Sequence, residues 1–67
     1  MSNLRIVNEY FYADNVYGGR WHNEFIPQEG DVIMIISVED GRTQFLWNGH
    51  LVQIITDLFC NYTRELG

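Results

Sequence analysis

The longest apolar stretch of the chain is DVIMIISV, residues 31–38, in which hydrophobic side chains follow one another instead of alternating. Eight residues are too few for an ordinary helix, and the β-branched Val and Ile favour a strand. Apolar residues pointing both ways predict a central strand covered on both faces. Asp40-Gly41 follows directly, and Asn48-Gly49 comes after six further residues. Both pairs suit type I′ turns, whose two central positions need positive φ. RTQFLW (residues 42–47) lies between the turns and HLVQII (residues 50–55) after them. The pattern predicts a three-stranded meander, about the minimum for independent stability.

The flanks are less regular. LRIVNEYFYA, residues 4–13, is β-prone and predicts a first strand. Residues 14–25 mix Gly18-Gly19, Asn and aromatics, and predict an excursion or irregular hairpin. Pro27 and Gly30 punctuate the approach to the central strand. The final segment, TDLFCNYTRELG, admits two readings. Thr56 caps a short helix carrying Leu58, Phe59, Tyr62 and Leu66 on one side. Alternatively, a 3₁₀ turn over residues 57–61 precedes a last short strand over residues 62–66. Either way the expectation is one all-β domain spanning residues 1–67, a small barrel of five or six short antiparallel strands.

Several short motifs resemble the SH3 family. Residues 24–31, EFIPQEGD, running into Val32-Ile33-Met34-Ile35-Ile36, are similar to its acidic, apolar approach to Gly-Asp and the second strand. Asn48-Gly49 sits where such a domain has its distal hairpin. Leu58-Phe59-Cys60-Asn61-Tyr62 resembles the 3₁₀ turn ending in Asn-Tyr, and Tyr10-Phe11-Tyr12-Ala13 the aromatic first strand. The resemblance spans residues 10–66 and implies an SH3-like barrel. The residues that read Pro-rich ligands in that family are not retained. Arg42 and Thr43 stand where the paired Trp would follow the loop, and Phe59 and Cys60 near the place of the proline.

Size sharpens this picture. A chain of 67 residues buries only about 60% of its unfolded surface, so its stability is marginal without a supplement. A single cysteine, Cys60, forms no internal disulfide, and no Cys/His cluster has zinc spacing. Self-association or docking on a partner gains weight accordingly. The net charge is −5, with Arg5, Arg20, Arg42 and Arg64 as the basic residues and no lysine. That balance argues against direct nucleic-acid binding and against an anionic membrane surface. No apolar run approaches the ~20 residues of a membrane helix. The first ten residues lack the shape of a signal peptide, and with a lone thiol they predict a cytoplasmic protein.

Candidate chemistry is sparse. His22 and His50 lie in no metal or catalytic motif, and Cys60 reads as a buried thiol. Neither metal, cofactor nor catalysis is expected. The aromatic set Tyr10, Tyr12, Tyr17, Trp21 and Trp47 admits two readings, core filler or contact surface, with Trp47 assigned to the core because it closes the middle strand. The expected function is a non-enzymatic protein-interaction module, an adaptor or an inhibitor compatible with a phage or mobile-element accessory role. Its face would be Tyr10, Tyr12, Tyr17 and Trp21, rimmed by Glu24, Glu29 and Asp31. Two alternatives stand beside it: a structural subunit that forms a homo-oligomer or part of a larger assembly, and an acidic mimic of nucleic acid.

Overall fold

The structure, a computed structural model, describes residues 3–16 and 25–66. Both Asx-Gly pairs form the tight turns expected of them. Asp40 and Gly41 have φ of 52° and 73°, and Asn48 and Gly49 have 52° and 82°. The turns join β3 (Val32–Glu39), β4 (Arg42–Trp47) and β5 (His50–Ile55) into the meander. Its flanking pairs, Glu39 with Arg42 and Trp47 with His50, leave two-residue loops.

The first strand is shorter than its composition predicts. β1 covers Leu4–Val7 and pairs antiparallel with β3. Its backbone bonds are then handed elsewhere. The Val7 N–H donates to the Asp31 carbonyl at 2.9 Å, and the Asn8 N–H to the Tyr62 carbonyl at 2.7 Å. The chain bends at Asn8-Glu9 and runs on as an irregular extended segment. β2, Asp14–Asn15, pairs with β5, and Ala13 bridges Phe25; most of the expected excursion, residues 17–24, lies outside the described residues.

Both readings of the C-terminal segment prove partly right. A helix, α1, runs Thr56–Tyr62, and a last strand, β6, runs Thr63–Glu65 beside β1. Ile55 takes the N-cap position in place of Thr56 and makes no side-chain cap bond. The Thr56 hydroxyl instead lies 2.9 Å from that of buried Thr43, and its N–H donates to the Gly41 carbonyl.

The result is one antiparallel sheet, order β2-β5-β4-β3-β1-β6. It is open, whereas the sequence predicts a closed barrel. β2 and β6 are edges of two and three residues that do not pair with each other, and the chain between β5 and β6 is spent on α1.

The core lies on the sheet face under α1. Phe45 is its centre, with ring centroids 5.9 Å from Phe11 and 5.3 Å from Phe59. Val7, Ile33, Val52 and Ile54 complete the buried sheet face, and Ala13 closes it from the segment that follows β1. Arg5 covers one end. Its guanidinium lies 5.5 Å over the Phe59 ring and donates to the Thr63 hydroxyl at 2.7 Å and carbonyl at 2.9 Å. The Thr63 hydroxyl in turn donates to the Phe59 carbonyl. Polar groups beside the core are thereby paired, as burial requires.

The expectation that residues 31–38 are covered on both faces fails within one chain. Ile33 is buried and Ile35 packs against the core, but Val32, Met34 and Ile36 are exposed on the other side. Among the described residues, the layer above the sheet, α1 with the segment around Phe11, sits on one face.

Candidate protein-interaction surfaces

Two exposed apolar surfaces lie on opposite sides of the sheet. The first begins at residues 10–13, which alternate as an extended chain does. Tyr10 and Tyr12 are 59% and 55% exposed, while Phe11 and Ala13 between and after them are 3% and 1%. Phe11 anchors the segment by stacking on Tyr62 at 5.8 Å and 12°. The outward rings of Tyr10 and Tyr12 meet edge to face, 6.2 Å apart.

Tyr12 divides two adjoining hollows. One, about 310 Å³, lies between Tyr12, Ile55 and Leu58, with Asp14 and Arg42 in its wall. The other, about 380 Å³, lies between Tyr10, Tyr12, Leu58 and Tyr62, with Glu9 as its acidic member. The exposed Leu58 belongs to both, projecting from α1 beside the inward Phe59. Together they form a groove with an aromatic middle. Asp14 Oδ1 is buried and has no hydrogen-bond partner among the described residues. An unmet buried acceptor of this kind costs about 1–3 kcal/mol.

The remaining residues expected in the site are placed as follows. Tyr17, Trp21 and Glu24 lie outside the described residues, as does His22. Glu29 is exposed in the turn before β3 and lines neither hollow. Asp31 is engaged structurally. Its Oδ2 accepts the Gln28 N–H and the Trp47 Nε1–H, each at 2.9 Å. Trp47 packs partly buried against the core and edge to face with Phe25, in keeping with its assignment. The acidic residues beside the tyrosines are therefore Glu9 and Asp14, not Glu29 and Asp31. Tyr62 and Leu58 also join the groove; sequence had placed them on a terminal helix or, in its second reading, in a last strand and a 3₁₀ turn.

Cys60 corrects an expectation. It is exposed, because one turn of helix that buries Phe59 aims its next neighbour outward. His50 is exposed beside the second turn, its ring 5.0 Å from that of Phe25. Among the described residues no group of three His, Cys, Asp or Glu could hold a metal. No helix there is long and apolar enough to cross a membrane.

The second surface is the sheet face turned away from α1. Register aligns a transverse row on it: Leu4 pairs with Met34, Met34 with Leu46, and Leu46 with Leu51. Leu66 extends the row beyond Leu4, to which its N–H donates. Val16 extends it beyond Leu51 in the same way. Ile6 and Val32 form a shorter row beside it. Ile36 shares this face with Met34 by alternation, and a bulge between Ile35 and Ser37 brings Ser37 beside it, opposite Gln44.

No family model, curated protein or solved structure matches this chain.

Proposed function

We propose that the chain is a small SH3-like, non-enzymatic protein-interaction module whose ligand lies in the tyrosine groove. The observation that carries this reading is the paired exposure of Tyr10 and Tyr12 over hollows shared with Leu58 and Tyr62. Exposed tyrosines next to an aliphatic side chain give large contact area at small entropic cost, which is why they dominate interface hot spots. The resemblance drawn from Tyr10-Phe11-Tyr12-Ala13 and Asn61-Tyr62 supports it, because the two motifs are distant in sequence and adjacent here. The hairpin at Asn48-Gly49 and the short helix ahead of the last strand support it further.

The groove's shape and charge indicate the class of ligand. Two hollows on either side of Tyr12 suit an extended segment that sets one apolar side chain in each. Glu9 and Asp14 favour a cation on that segment, and a ligand donor would satisfy Asp14 Oδ1. Pro-rich recognition is not part of the proposal, since Arg42 and Thr43 replace the aromatic pair it uses.

A random-peptide selection on the immobilised chain tests this, followed by binding titrations of the enriched peptides. Enriched peptides should carry spaced apolar residues and a Lys or Arg. Tyr12→Ala should weaken them at least about 30-fold, a 2 kcal/mol hot spot, with the circular dichroism unchanged. Enriched peptides that bind Tyr12→Ala and Tyr10→Ala as tightly as the wild type would overturn the reading.

A further inference from the structure

We infer that the sheet face opposite α1 is a self-association surface, on which a second copy of this chain packs face to face. The inference rests on the apolar row, which shares no residue with the tyrosine groove; the groove reaches this face only at its far end, through Arg42, Gln53 and Ile55. Its first support is the length of the apolar row. Leu66, Leu4, Met34, Leu46, Leu51 and Val16 run across six neighbouring strand positions, from one edge of the sheet to the other. At about 4.8 Å per strand that row is roughly 24 Å long. With Val32, Ile6 and Ile36 beside it, the apolar patch is on the order of 400 Å², the size of the largest patch on a typical monomer, which is often a functional one. That is about half of the ~800 Å² per partner of a standard interface, the size of a weak, concentration-dependent contact.

The second support is charge. The chain carries −5, yet no charged residue stands in the row. Ionic side chains flank it. Arg64 lies opposite Ile6 on one side, and the Glu39–Arg42 pair lies at the far end of β3. A two-fold axis in the plane of the interface, at right angles to β3, reverses one sheet over the other. That operation sets the Arg64 end of each copy near the Glu39 end of its mate and packs row against row. Aliphatic sheets stack in this way at about 10 Å with a small rotation between strand directions. Such an interface is isologous, as most homodimers are.

The third support is the sheet's edges. β2 and β6 are two and three residues long, too short for edge-to-edge pairing to add a stable strand ladder. Association through the face is left as the route by which two copies bury the exposed aliphatic residues of β3. A back-to-back dimer also presents its two tyrosine grooves outward on opposite sides, so a ligand with two copies of the recognised segment gains avidity.

Sedimentation equilibrium of the full chain from about 10 µM to about 500 µM measures the association. The expected mass rises toward twice the 7.9 kDa of the chain. Because two copies of −5 repel, dissociation should fall several-fold as salt rises from about 20 mM to about 300 mM. An interface held by ion pairs would respond the other way. Met34→Glu sets a carboxylate in the row and should raise the dissociation constant at least about 10-fold. Isotope-filtered NOEs in a mixed labelled and unlabelled wild-type sample give a second readout that needs no variant. Contacts from the Met34 and Leu46 methyls to the other copy are expected. A monomer throughout the range would overturn the inference and leave the face to a different partner. A dimer whose filtered NOEs come from other residues would overturn it equally.

Discussion

The two faces of β3 carry the same kind of residue and meet different fates. On the core side, with Phe45, Phe59 and Phe11, Ile33 is buried and Ile35 partly so. Met34 and Ile36, one position along, face outward beside Val32 and Leu46 and stay exposed. Chemistry does not distinguish the two sides; the supply of covering elements does. The described residues place one helix and one irregular segment above the sheet, and both sit on the same face. Apolar pattern therefore reports where a surface must be covered, and not whether the same chain covers it.

The sharpest way to break the comparison is at the centre of the covered side. Phe45→Ala removes the ring between Phe11 and Phe59 and should destabilise the fold by about 3–5 kcal/mol, which for so small a domain is most of its stability. Urea unfolding read by near-ultraviolet circular dichroism checks it. A smaller loss is expected at the edge of the same side. Thr63→Val keeps the shape of the side chain but removes the hydroxyl that accepts from Arg5 Nε and donates to the Phe59 carbonyl. It should cost about 1–3 kcal/mol, and thermal unfolding should show a midpoint lowered without change of secondary structure. The smallest effect belongs to the exposed side. Met34→Ser should change the stability of the dilute monomer by less than about 0.5 kcal/mol. A loss there as large as that of Thr63→Val would mean that the face is covered within the chain.

Local features of this fold were readable in advance, and long-range ones were not. Asp40-Gly41 and Asn48-Gly49 specify their turns through two residues each, so the meander follows from sequence, whereas the bulge between Ile35 and Ser37 that shifts β3 against β4 does not. The helix and the last strand were each visible as alternatives, because Thr56 to Tyr62 is long enough for either a short helix or a 3₁₀ turn. Barrel closure depends on whether β2 and β6 reach each other, a matter of tertiary geometry that strand patterns do not encode. Cys60 was misjudged because exposure on a seven-residue helix turns on its phase. Within the tyrosine groove, Tyr10 and Tyr12 were legible as aromatic candidates. Their neighbours Leu58 and Tyr62 were not, since about fifty residues of chain separate them and only the fold brings Tyr62 against Phe11. The acidic rim was misplaced for a related reason. Asp31 looked available for binding, but its carboxylate is occupied by the Gln28 and Trp47 N–H groups.

The claim at the centre of this account is that β3 has one face served by its own chain and one that waits for another copy. A methyl-resolved NMR dilution series of the wild-type chain tests it most directly. Progressive shifts of the Met34, Ile36 and Leu46 methyls with concentration, while those of Ile33 and Val52 hold still, are the predicted result. Methyls of the outer face that keep the same shifts from the most dilute to the most concentrated sample would contradict it.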